Sequence, residues 1–124
     1  MNQFSNKKKY DLEERTARFA EKIIDLAKKL PDTPINRRLI PQLVGAGGSL
    51  GANYCEANEA ESKRDFQHKI GICKKETKES KHWIRLLARA NSEFKEELRE
   101  LWQEAQELLL IFSKILQSSR KKKI

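Results

Sequence analysis

Two stretches pair a carboxylate with a histidine at helical spacing, Asp65-x-x-His68 and Glu79-x-x-His82. Helical bundles build carboxylate-bridged di-iron sites this way, but such a site needs the motif from each of two facing helices and carboxylates from two more. Here both motifs fall on one helical stretch, about 21 Å apart at roughly 1.5 Å of rise per residue, so they cannot share an ion within one chain. No metal and no cofactor is expected, and the histidines read as solvated groups on a charged helix. A second group, Asn53, Glu56, Glu76 and Glu79, spans two consecutive helical stretches. Neither a nucleophile nor a phosphate-binding loop accompanies it. It therefore reads as a buried polar network, completed by Lys75 or Arg85, that fixes helix register.

Glycine raises a different possibility. Four of the five glycines lie in QLVGAGGSLGANYCEANEAE, residues 42–61. Gly45, Gly47 and Gly51 give G-x-G-x-x-x-G, one residue longer than the dinucleotide fingerprint, and no second strand follows to complete a βαβ unit. Leu50-Gly51-Ala52 is not the Gly-Lys-Ser/Thr end of a P-loop. The better reading is a helix with one nearly bare face, on which Val44, Gly47, Gly48 and Gly51 let another backbone approach. Each glycine costs a helix about 1 kcal/mol relative to alanine, so tight packing within the bundle or between chains must offset them. Gly47, Gly48 and Gly51, with the Asn53, Glu56, Glu76 and Glu79 group, form the predicted packing or oligomer seam.

The remaining reactive residues are quiet. Cys55 and Cys73 lack a C-x-x-C partner or paired histidines, which indicates free thiols in a reducing cytoplasm rather than a disulfide framework or a zinc site. Tyr54, Trp83 and Trp102 recur at helical spacing and are expected to pack rather than to stack bases.

Those residues must be carried by helices. The chain has 124 residues, 35% of them charged, few glycines and prolines, and apolar positions that step by three and four, so it reads as one all-α domain. No apolar run is long enough to span a bilayer. The first helix runs from about Asp11, a candidate N-cap with Glu14 three residues on, to Leu30, with Leu12, Thr16, Phe19, Ala20, Ile23, Leu26, Ala27 and Leu30 inward. Pro31 to Pro34 ends it. The second starts between Ile35 and Pro41, with Asn36 as a candidate cap, and runs to about Ala60. Ser62 caps the third, whose inner stripe of Phe66, Ile70, Cys73, Thr77, Ser80, Ile84 and Leu87 is polar in its middle. After a turn at Asn91-Ser92, the fourth presents Phe94, Leu98, Leu101, Trp102, Ala105, Leu108, Leu109, Phe112, Ile115 and Leu116. Four such helices with short turns predict an antiparallel up-down-up-down four-helix bundle over residues 11–119.

Of the net charge of +8, seven positive charges belong to Lys7, Lys8, Lys9, Arg120, Lys121, Lys122 and Lys123, with no acid in residues 1–10 or 120–124. The body is nearly neutral. The segments 1–10 and 120–124 therefore read as basic flexible tails, both leaving one end of the bundle, where their charges could meet phosphates.

ERTARFAEKIIDLAKKLP and the long stretch from Gln42 to Leu87 resemble the small four-helix-bundle proteins encoded within intervening sequences of bacterial 23S ribosomal RNA genes. The resemblance covers about residues 11–119 and is most specific at Ser49-Leu50-Gly51-Ala52-Asn53-Tyr54, Glu56-Ala57, Asp65-Phe66, Lys75-Glu76, Glu79, and Trp83 with Leu86-Leu87. The chain departs from that pattern at Gly45, where the family usually has arginine, and at His82, where it usually has an aromatic residue. The resemblance implies a bundle that assembles into a ring, commonly a homopentamer, without established catalysis. A related branch is similar to the accessory proteins of diversity-generating retroelements, which bind RNA and a reverse transcriptase. The expected function is non-enzymatic: a cytoplasmic, ring-shaped homo-oligomer that binds RNA or DNA non-specifically through a basic face. The alternative is a structural or adaptor protein whose partner is a protein such as a polymerase.

Overall fold

The computed structural model describes residues 11–121. Over them the chain forms four long helices, α1 (Leu12–Lys29), α2 (Pro34–Asn58), α3 (Lys63–Ala90) and α4 (Lys95–Lys121), with a single 3-10 turn, Ser92–Phe94, before the last. This is an all-α four-helix bundle. Lys7, Lys8, Lys9, Lys122 and Lys123 lie outside the described residues.

The inward stripes follow the periodicity closely. All seven predicted positions of α3 are buried, from Phe66 to Leu87. Its polar middle is satisfied internally: the Thr77 hydroxyl donates to the Cys73 carbonyl at 2.6 Å and Ser80 to the Glu76 carbonyl at 2.9 Å, so neither leaves an unpaired group in the core. Leu98, Leu101, Ala105, Leu108, Phe112, Ile115 and Leu116 of α4 complete the core with Phe19, Ile23, Leu50 and Tyr54. Burial of these side chains contributes about 1.5–3 kcal/mol each and is the main drive to fold.

Helix ends correct two expectations. Asp11 precedes α1 in a left-handed conformation, φ 41°, and its side chain makes no cap hydrogen bond; aspartate is among the few residues that tolerate that region. Thr33, not Asn36, caps α2: its side chain accepts from the Asn36 backbone N–H at 3.1 Å, with Pro34 at the first helical position, where a missing N–H costs nothing. Asn36 is instead buried. Its side-chain amide pairs reciprocally with that of Asn91, both bonds 2.8 Å, and also reaches the Pro31 carbonyl at 2.9 Å. This pair ties the α1–α2 turn to the α3–α4 turn. Pro41 stays inside α2; it faces solvent, where water can satisfy the carbonyl one turn earlier. The α3 cap is as expected, Ser62 accepting from the Asp65 N–H at 3.0 Å.

Contact is uneven around the bundle. α3 packs broadly on both α2 and α4, α1 leans on α2, and α1 touches α4 at few points. Glu56 near the end of α2 meets Lys69 near the start of α3 at 2.7 Å, and Gln67 near the start of α3 meets Ser119 near the end of α4 at 3.0 Å.

Candidate nucleic-acid interface

The two flanks of α3 differ in charge. Lys69 identifies the flank toward α2, through its ion pair with Glu56; Glu76 and Glu79, seven and ten residues on, share that side by helical spacing. Gln67 and Lys81 identify the flank toward α4. The Lys81 ammonium donates to Gln106 Oε1 and stands 4.4 Å from the centre of the Trp102 ring. Lys74, Lys78 and Arg85 line up with Lys81 at steps of four, three and four, forming one row along the α3–α4 groove. The row rises about 16 Å at roughly 1.5 Å per residue. Lys74 and Lys81 are half-buried, and Lys78 and Arg85 are exposed. Among the described residues none of these four is in an ion pair, whereas Arg15, Arg18, Lys29, Arg37 and Lys69 are.

Trp102 is 38% exposed beside that row and does not join the core. Expected with the packing aromatics, it falls at the outer edge of the α4 stripe. Trp83 is half-buried with the His82 ring edge-on at 4.9 Å, and Tyr54 is buried against Phe112. Of the predicted phosphate-binding residues, Arg120 and Lys121 are exposed at the end of α4, one and two residues past Ser119, which bonds Gln67 on the same flank of α3 as the row. The row itself escaped the sequence reading, because a body close to neutral hid it. A helical projection of residues 67–85 carries the signal: four cations and no acid on one side.

The predicted seam divides in two. A Cβ on Gly47 would run into Ile23 Cδ1, and one on Gly51 would stand 3.0 Å from Thr16 Oγ1. Both glycines let α1 approach α2. Among the described residues, a Cβ on Gly45 or Gly48 would meet nothing within 4 Å, and both are exposed. The four polar residues do not form one network. Asn53 donates to the Ser49 carbonyl and hydroxyl at 2.9 and 3.1 Å, Glu56 pairs with Lys69, and the side-chain carboxylates of Glu76 and Glu79 make no hydrogen bond or ion pair among the described residues. Partial burial, with Glu79 beside it, raises the Glu76 carboxyl above its ordinary value.

His68 and His82 are exposed. Among the described residues, no three His, Cys, Asp or Glu side chains are grouped so as to hold a metal ion, and no helix is long and apolar enough to cross a membrane. Cys55 is exposed and Cys73 buried, both as free thiols. The Cys73 thiol contacts the Leu50 carbonyl at 3.4 Å, and burial pushes it up to about 12.

Comparison with known proteins agrees with this architecture. A family model described as "23S rRNA-intervening sequence protein" matches residues 8–114. A crystal structure from Bacteroides thetaiotaomicron VPI-5482, of a protein with unknown function from the S23 ribosomal protein family, is similar with a TM-score of 0.73 and 29% identity, covering 84% of this chain and 96% of that one. No curated protein matches.

Proposed function

The chain belongs to the family of 23S rRNA-intervening sequence proteins, and from that premise we propose that it is a non-enzymatic, ring-forming helical protein that binds RNA irrespective of sequence through a basic face. The observation that carries the reading is the unpaired row Lys74, Lys78, Lys81 and Arg85. Cations without carboxylate partners keep their full charge for phosphates and release condensed counterions when they bind them. The paired contacts Asn36–Asn91, Glu56–Lys69, Gln67–Ser119 and Arg15–Glu104 support an up-down-up-down course. Arg120 and Lys121 close α4 at the end of the bundle where α3 begins. Two free thiols suit a cytoplasmic protein.

Assembly is supported by Gly45 and Gly48. These two glycines weaken α2 by about 1 kcal/mol each yet meet no packing partner among the described residues. A second copy lying close against them would supply the compensation, as small residues do wherever helices approach closely. The same open face could instead seat a different protein, which is the adaptor reading.

The test is RNA retention measured between 50 and 200 mM salt. The wild-type protein should hold RNA at low salt and lose it steeply as salt rises. K74E/K78E/R85E should weaken binding about 100-fold or more at low salt and flatten the salt slope by about two, since each phosphate contact on a single strand contributes roughly 0.7. Removing residues 1–9 and 120–124 should weaken binding further while leaving the row's share. Retention that is indifferent to the triple reversal would transfer the function to the adaptor reading.

A further inference from the structure

Resting on the nucleic-acid reading above, we propose that the α3–α4 groove takes a single strand of RNA, with its backbone along α3 and a base stacked on Trp102. The two walls of the groove differ in kind. Lys74, Lys78, Lys81 and Arg85 make the α3 wall cationic. Opposite them, α4 has no lysine or arginine between Arg99 and Lys114, and the side toward α3 carries Trp102, Gln106, Leu109 and Ser113. A duplex presents two phosphate strands and would need cations on both walls. A single strand has phosphates along one edge and bases along the other, and one charged wall facing one neutral wall matches that asymmetry.

Trp102 sits where the neutral wall can receive a base. Its ring is 38% exposed, unlike that of buried Tyr54. The position of Lys81 Nζ, 4.4 Å from the ring centre, means that a π-face is in contact with an ammonium ion rather than sealed under apolar side chains. Such a face attracts cations and stacks bases through the same electron-rich surface. A base arriving on that face would displace the Lys81 ammonium toward a phosphate of the same strand, so the resting contact holds the ring ready. The Gln106 amide and Ser113 hydroxyl on the same wall are groups of the type that pair with a ribose 2′-hydroxyl. Trp83 provides an internal control: it is only half-buried, but it shares the flank of Lys69 and Glu76, away from the groove.

The experiment uses the full chain and two single-tryptophan variants. W83F retains Trp102, and its fluorescence should be quenched by a short unstructured RNA strand; W102F retains Trp83 and should show no quenching. The strand should bind at least tenfold more tightly than a blunt RNA duplex of equal length at the same salt. W102L should lose roughly tenfold in strand affinity with an unchanged salt slope, because stacking rather than charge is removed. W102F should recover part of that loss. Circular dichroism melting of W102L checks that a half-exposed position leaves the fold intact. Equal binding of duplex and strand, or strand affinity indifferent to W102L, would overturn the inference while leaving RNA binding in place. Tighter binding of the matching DNA strand would overturn its assignment to RNA. Absence of binding to any nucleic acid would overturn both this inference and the reading it rests on.

Discussion

Helix α4 has two flanks built from opposite electrostatics. Toward α1 it carries Glu97, Glu104 and Glu107, which meet Lys29 and Arg15: Arg15 holds both oxygens of Glu104 at 2.7 and 2.9 Å and reaches Glu107 at 2.7 Å. Glu100 lines the open cleft on the same side, with Lys22 and Asp25. Toward α3 its side between Arg99 and Lys114 carries Trp102, Gln106, Leu109 and Ser113, none of them charged, and faces four cations without ion-pair partners among the described residues. One flank closes its charges within the chain, and the other leaves a neighbour's charges open. The body as a whole is nearly neutral, so net charge is silent about a surface that is strongly polarised. Where a charge is already matched it serves the fold; where it is unmatched it is available to a ligand.

The same contrast of closed and open faces recurs on α2, and there it can be tested with the largest effect on stability. Gly47 is closed against Ile23 and Gly48 is open. Gly47→Val should destabilise by about 2–3 kcal/mol, since overpacking forces off-rotamer side chains and outweighs any gain in helix propensity. Gly48→Ala should stabilise an isolated chain by up to about 1 kcal/mol. If Gly48 is where another copy docks, the alanine will also loosen the assembly. Chemical denaturation and sedimentation of both variants measure the two effects separately. A Gly47→Val protein as stable as the wild type would remove the distinction between the faces.

How far this was legible depends on what sets each feature. The core was legible because burial imposes a 3.6-residue period on the sequence: every predicted inward position of α3 is buried, Thr77 and Ser80 included. Trp102 was misjudged because its place beside Leu101 fits the apolar stripe, whereas its amphipathic ring can sit at the stripe's edge with one face toward Lys81. The Thr33 cap was missed for a similar reason. Asn36 is a good cap type, but a partner 55 positions away, Asn91, claimed its side chain. The cationic row lay in plain view as spacing. It became an interface candidate only once Lys81 and Gln67 showed which neighbour that flank faces, and such pairing is tertiary information.

A smaller effect separates the closed flank of α4 from the open groove. Arg15→Met should cost about 1 kcal/mol, the size expected of a bidentate, half-buried pair, or a few degrees in melting temperature. The cost should shrink as salt is added. The same change at Arg85, which is in no ion pair among the described residues, should leave stability within about 0.5 kcal/mol of the wild type. RNA binding should respond in the reverse order, weakened by Arg85→Met and indifferent to Arg15→Met. Thermal melts and binding curves on the two variants decide this, and a common response would mean that the flanks do not divide stability from binding.

The cysteines carry the contrast down to single atoms, with an effect near zero at neutral pH. Cys55 is open and Cys73 closed, so a thiol reagent should modify Cys55 in the native protein and reach Cys73 only on unfolding. Burial raises the Cys73 thiol to about 12, against about 8.5 in an unfolded chain. Below about pH 8.5 both states keep the proton, and Cys73 adds no pH dependence. Between the two values the unfolded chain loses a proton that the native chain retains, so stability should fall by about 1.4 kcal/mol for each pH unit. Lysines and tyrosines titrate in the same range, so the difference between wild type and Cys73→Ala isolates the thiol. The variant should start slightly less stable at pH 7.5, because it leaves a small cavity, and lose less by pH 10. Parallel pH profiles for the two proteins would show that solvent reaches Cys73 in the native state and that the α2–α3 contact at Leu50 is looser than its packing implies.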